Sequence, residues 1–149
     1  MNIVPQFSVF LINKPGVLAQ VSRQIAQARI NILAMTMTDS SEHGVLRLVA
    51  EEPERLRAAL AALNLPTTET DVLVIDMPNR PGSLAEVCGR LAEGHINISY
   101  AYCTTGASGG RTKGVFKLAD TRKAMKLLAS PPPKRRDMNV KIRRPVAIR

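Results

Sequence analysis

Residues 13–32 read NKPGVLAQVSRQIAQARINI, and residues 79–98 read NRPGSLAEVCGRLAEGHINI. The two stretches lie 66 positions apart and agree at ten of twenty positions. The shared residues include Asn13/Asn79, Pro15/Pro81, Gly16/Gly82, Leu18/Leu84, Val21/Val87, Asn31/Asn97 and Ile32/Ile98. Further on, Gly44-Val-Leu-Arg-Leu-Val matches Gly114-Val-Phe-Lys-Leu-Ala at an offset of 70. That offset implies a loop four residues longer in the second copy, around Gly106–Gly110. A chain of 149 residues is thus expected to hold two copies of one module, residues 1–70 and 71–149.

Each copy predicts β-α-β-β-α with a closing strand. Gln6–Ile12 and Val72–Met77 are rich in β-formers and run into a Pro-Gly turn. Leu18, Val21, Ile25 and Ala28, then Leu84, Val87 and Leu91, recur at helical spacing. Helices are expected at about 17–28, 53–63, 83–93 and 120–128, with Pro53 and Asp120 suited to helix starts and Gly94 to a C′ position. The fold class is therefore α+β: two ferredoxin-like βαββαβ units, each an antiparallel sheet with its helices on one face. Closing strands are expected at Thr67–Thr70 and, after Pro131–Pro133, at Asn139–Arg143.

Chain length constrains how the units join. Only Asn64–Asp71 separate the second helix from the next copy's first strand. Those eight residues, reaching at most about 26–29 Å, cannot complete one sheet and then cross to a distant one. Thr67–Met77 is expected to run on as a single extended segment serving both units, which are then offset or swapped.

The segment Asn-x-Pro-Gly joins a strand to a helix. Proline fixes one φ, glycine permits a tight turn, and the helix start offers N–H groups and a positive dipole end for a small carboxylate. The Asn amide both donates and accepts. On these grounds alone an ordinary structural turn remains the alternative.

Strand, Asn-x-Pro-Gly-x-Leu, amphipathic helix and Ile-Asn-Ile, found twice, resemble the ACT domain family in tandem, over roughly residues 6–128. The resemblance implies a non-catalytic, amino-acid-binding regulatory protein. Its ligand would lie at an interface between ACT units and its signal would pass to a metabolic enzyme or regulator. It also implies ligand-binding positions at Asn13, Gly16, Val17, Leu18, Asn31 and Ile32, and at Asn79, Gly82, Ser83, Leu84, Asn97 and Ile98. No catalytic domain is expected, because the first strand begins almost at Met1. An exposed second-strand edge on each unit suggests a homodimer.

Composition bounds the alternatives. The net charge of +9 sits mostly in the Pro-rich segment from Ser130, which carries seven basic residues and one acid, against fourteen and eleven in the rest. A basic tail and Tyr100 and Tyr102 on one strand face leave open a ferredoxin-like RNA-binding module. It is disfavoured, because the chain has three Phe, two Tyr and no Trp, and Val45–Ala50 has no aromatic residue. A phosphate loop at Gly109–Gly114 fails, since Val115 stands where lysine is needed. Cys88, Cys103, His43 and His95 show no metal-ligand spacing, and no catalytic triad signature appears. No catalytic residue, metal or cofactor is therefore expected. Two Cys without a secretion signal read as free thiols in a cytoplasmic protein, and no apolar run is long enough for a membrane.

Overall fold

The protein is described by a computed structural model over residues 1–38, 43–105 and 110–131. In chain order the elements are β1 (Asn2–Ile12), α1 (Val17–Gln27), β2 (Ile32–Thr38), β3 (His43–Ala50), α2 (Pro53–Ala61), β4 (Thr67–Pro78), α3 (Ser83–Glu93), β5 (Ile98–Thr105), β6 (Arg111–Leu118) and α4 (Thr121–Ala129). The helices lie where the periodicity and the starting caps place them. Asp120 caps α4 through its carboxylate, which accepts from the Lys123 N–H at 2.8 Å, and Pro53 opens α2.

All six strands form one antiparallel sheet in the order β2-β3-β1-β4-β6-β5. The long strands β1 and β4 make it continuous. Thr67–Val74 of β4 pair with Val9–Asn2 of β1, and Leu73–Pro78 pair with Phe116–Arg111 of β6. The first part of β4 thus closes unit one, and the second part opens unit two. Reciprocally, Phe7–Ile12 of β1 pair with β3, while Asn2–Pro5 lie where unit two needs a closing strand. Asn139–Arg143, expected in that role, lie outside the described residues. Their place beside β4 is filled by the chain's own first residues.

The ladders correct one sequence alignment. Phe7 pairs with Leu48, and Leu73, its counterpart 66 residues on, pairs with Phe116. Leu48 therefore matches Phe116, an offset of 68, and the offset of 70 does not hold. Ile32↔Ala50 against Ile98↔Leu118 gives the same shift, as do helix starts Pro53 and Thr121. The second hairpin is two residues longer, not four. Both offsets are even, so both keep each side chain on its face, and residue type alone could not separate them.

One face of the sheet carries the helices. Phe7, Val9, Leu11, Leu46 and Leu48 pack on Val21, Ile25, Leu56 and Leu60 in unit one. Leu73, Ile75, Met77, Phe116 and Leu118 pack on Leu91 and Ala124 in unit two. Each helix pair is tied alike. Arg55 donates to Ala28 O at 2.5 Å, and Lys123, its counterpart, donates to Gly94 O at 2.9 Å. Both cations meet the carboxyl end of the preceding helix, where the dipole favours them. Gly94 itself is not the left-handed C′ residue expected. That conformation falls on His95 (φ 53°), as it does on Arg29 (φ 54°) in unit one. The His95 N–H donates to Ala92 O and the Ile96 N–H to Leu91 O, a Schellman ending. Glycine at 94 answers a close approach instead: a Cβ there would stand 2.5 Å from Leu127 Cδ2.

The other face bends on itself until the edge strands β2 and β5 touch. Ala34, Val49, Val72, Val74 and Val115 form a third cluster there, joined by Val4, Leu33 and Tyr102. Gln6, wholly buried, sits at its centre. Its Nε2 donates to Tyr100 Oη at 2.7 Å, and its Oε1 accepts from Tyr102 Oη at 3.1 Å. The Arg47 guanidinium lies 4.5 Å from the Tyr100 ring centre. Tyr100 and Tyr102 do share one face of β5, as expected, but they are spent inside the fold joining unit two to unit one.

Candidate functional site

The turns after β1 and β4 are built alike. In turn one the Val17 N–H donates to Lys14 O at 3.4 Å, and in turn two the Ser83 N–H donates to Arg80 O at 3.3 Å. Gly16 and Gly82 both have φ 89°, with ψ −16° and −17°. Proline at the second position and a left-handed glycine at the third make each a type II turn. The first helical hydrogen bonds run from Gln20 to Gly16 O and from Glu86 to Gly82 O, both 2.9 Å. The N–H groups of Leu18 and Ala19, and of Leu84 and Ala85, precede them at the positive helix end.

Surroundings distinguish the turns. A cleft of about 400 Å³ beside turn one is lined by Leu11, Ile12, Asn13, Lys14, Pro15, Gly16, Val17, Leu18 and Met37. The first turn of α1 carries no acid. Leu18 is 37% exposed, and Val17 packs half-buried against the unit-one core. At turn two, Glu86 stands in the first turn of α3 and takes the Arg80 guanidinium on both oxygens, at 3.0 and 3.1 Å. Gly110 O accepts the Asn79 N–H at 2.9 Å. Leu84 is exposed, whereas Ser83 is only 6% exposed and its Oγ has no hydrogen-bond partner.

The Asn-Ile positions lie elsewhere. Asn31 O accepts the Glu51 N–H, Asn97 O accepts the Ala119 N–H, and Ile32 and Ile98 pack on the cores of their own units. Asn13 follows Ile12, which pairs with His43, whereas Ile32 pairs with Ala50. Seven residues of β3 separate those levels, about 23 Å at about 3.3 Å per residue. Asn97 is no nearer to turn one along the strands. Ile98 pairs with Leu118, two residues past the Phe116–Leu73 pair and hence level with Asp71, which pairs with Pro5. Within one chain, the structure does not bring a turn together with either Asn-Ile pair.

Met37, Ile12 and Leu11 were not among the sequence candidates. Met37 sits in an edge strand, ILAMTMT, whose pattern marks neither face clearly. A signal existed in Gly44, across the hairpin: a Cβ there would lie 2.7 Å from Met37 Cε, so glycine leaves room for that methyl group.

Among the described residues no other chemistry gathers. Burial pushes both thiols up, Cys88 further influenced by Cys103, so neither is an activated nucleophile. Among the described residues no three His, Cys, Asp or Glu side chains form a metal cluster, and no helix is long and apolar enough to cross a membrane.

The model of the ACT domain pair family matches residues 1–130. Among solved structures the chain is similar to protein BT0572 from Bacteroides thetaiotaomicron, with 31% identity and a TM-score of 0.77 over 85% of this chain and 86% of that one. It shares its fold with the regulatory subunit of aspartate kinase from Thermus thermophilus, at 12% identity and TM-score 0.61, over 86% of this chain and 95% of that one. The aspartokinase alpha and beta subunits show the same fold at 17% identity and TM-score 0.53, with the same coverage of each chain. No curated protein matches it.

Proposed function

The chain belongs to the ACT domain pair family, a regulatory module, and from that membership we propose that it is a non-catalytic sensor of a small amino acid. The observation that carries the reading is the duplicated type II turn, with a left-handed glycine at the mouth of a helix end. An amino-acid carboxylate suits those N–H groups, and the Asn13 or Asn79 amide suits its ammonium group. Because neither Asn-Ile pair is level with a turn within one chain, the complete site draws on two chains. The protein is accordingly a homodimer in the cytoplasm, and its bound state is read by a metabolic enzyme or regulator.

An RNA-binding reading has less to stand on, since Gln6 and Arg47 occupy both tyrosines on the strand face that would stack bases. Isothermal titration with the twenty amino acids tests the proposal. One of them is expected to bind, and Asn13→Ala is expected to weaken it by roughly 1.5–3 kcal/mol, the loss of a charge-assisted hydrogen bond. Sedimentation should give a dimer. If no amino acid binds at millimolar concentration while an oligonucleotide binds with steep salt dependence, the RNA reading replaces it.

A further inference from the structure

We propose that the two turns are unequal receptors, and that turn one is the effector site, selecting an amino acid with an apolar side chain. This rests on the amino-acid reading and adds to it which turn is used and what the ligand carries beyond its carboxylate and ammonium groups.

Turn one combines a positive end with hydrocarbon walls. The α1 terminus has no acid in its first turn, and Lys14 lies beside it. Leu11, Ile12, Val17, Leu18 and Met37 line the rest of the cleft. Three of these keep large apolar surfaces in water: Ile12 is 54% exposed, Met37 40% and Leu18 37%. Gly44 leaves room beside this wall for the Met37 methyl group. A carboxylate meets the helix end, and a hydrocarbon chain covers the exposed walls. On this chain's side of the site, an acidic ligand side chain finds no second cation among the lining residues, and a basic one no acid.

Turn two keeps Leu84, 46% exposed, in the place of Leu18, but changes the rest at matching positions. Ser83 replaces Val17, Pro78 replaces Ile12 and Cys103 replaces Met37. Glu86 sits in the first turn of α3 and holds the Arg80 guanidinium, so the cation nearest the helix end is already paired. A carboxylate arriving there meets a carboxylate in place, and an alkyl chain finds Leu84 but neither the isoleucine nor the methionine of turn one.

The test uses the full chain and four probes: L-leucine, L-phenylalanine, L-serine and L-aspartate. Titration calorimetry is expected to show leucine or phenylalanine binding at least about tenfold more tightly than serine and aspartate. Met37→Asp should weaken the apolar ligand by at least about tenfold. Cys103→Asp, the matching change in unit two, should leave its affinity within about twofold. Leu18→Gln, an exposed helical position, repeats the test should Met37→Asp fail to fold, with circular dichroism as the check. Serine or aspartate binding as tightly as the apolar pair overturns the inference. So does a loss on Cys103→Asp in place of Met37→Asp, or a Met37→Asp chain whose sedimentation changes while its ligand selectivity does not. In each of those cases an amino acid still binds and the sensor reading survives. If none of the twenty amino acids binds, both fall.

Discussion

The helix-covered face of the sheet repeats itself and the bare face does not. On the covered face, Leu48 answers Phe116, Leu56 answers Ala124, and the cation of Arg55 reappears as Lys123 on the same carbonyl position. On the bare face, Gln6 answers Val72, while Ala34 and Thr36 stand where unit two has Tyr100 and Tyr102. Near its rim, Phe10 and Val45 in unit one correspond to Asp76 and Lys113 in unit two, which pair at 2.8 Å. Each covered half of the core must satisfy only its own helices, so both copies keep one solution. The bare halves face each other. A contact between two copies needs complementary residues, not identical ones, and that is where the duplication has diverged.

The largest expected effects test the repeated face. Leu48→Ala and Phe116→Ala remove side chains no more than 1% exposed. Each should cost about 3–5 kcal/mol in urea unfolding. A loss confined to one unit, seen as two transitions, would break the view that the shared strands β1 and β4 make unfolding a single event.

Gln6→Leu probes the diverged face. It leaves the Tyr100 and Tyr102 hydroxyls without their shared partner, for an expected loss of about 2–3 kcal/mol. An unchanged midpoint would mean the two halves are held by the valine cluster alone.

The same face should carry an alkaline signature. Burial pushes the Tyr102 hydroxyl well above its ordinary range. Its neutral form is therefore favoured by folding, and that stability is complete below about pH 10, the ordinary tyrosine value. It is lost as the pH rises, because the unfolded chain ionises first. The slope should not exceed about 1.4 kcal/mol per pH unit, and Tyr102→Phe should flatten it. Urea midpoints between pH 9 and 11 measure both.

Gly16→Ala and Gly82→Ala sharpen the comparison where the copies agree. Both glycines have φ 89° and neither Cβ would meet a neighbour, so only backbone strain remains. Each substitution should cost about 1–2 kcal/mol, and equally. The smallest effect is expected at Ser83. Ser83→Val removes a buried hydroxyl without a partner and should stabilise the unliganded chain by up to about 1 kcal/mol. A loss of stability there would show that the hydroxyl is satisfied after all.

Much of the fold was legible because helices, caps and turns are local. Asn-x-Pro-Gly followed by a 3.6-residue apolar stripe places α1 and α3 without tertiary knowledge. The double use of β4 followed from chain reach, since eight residues could not do two separate jobs. Non-local features were not legible. The hairpin register slipped by two because Gly44 and Gly114 are alike in type, though only Gly44 faces Met37 across its hairpin. Gly94 looked like a helix stop, yet it answers Leu127, which lies 33 positions along the chain. Gln6 in a strand carries no local mark of its two distant partners. At the candidate site, the turns were readable from sequence, but the wall made by Met37 was not, because it comes from β2, two strands across the sheet from β1.

The meeting of Gln6 with Tyr100 and Tyr102 also decides what the molecule can show to light. The chain has two tyrosines and no tryptophan, so its near-ultraviolet absorption and intrinsic emission above 295 nm originate almost entirely at that one seam between the copies. Any rearrangement that separates β2 from β5 would change the surroundings of both chromophores together, and a rearrangement confined to the outer helices would leave the spectrum dark to it. The protein thus carries a built-in, label-free optical probe of how its two halves are held.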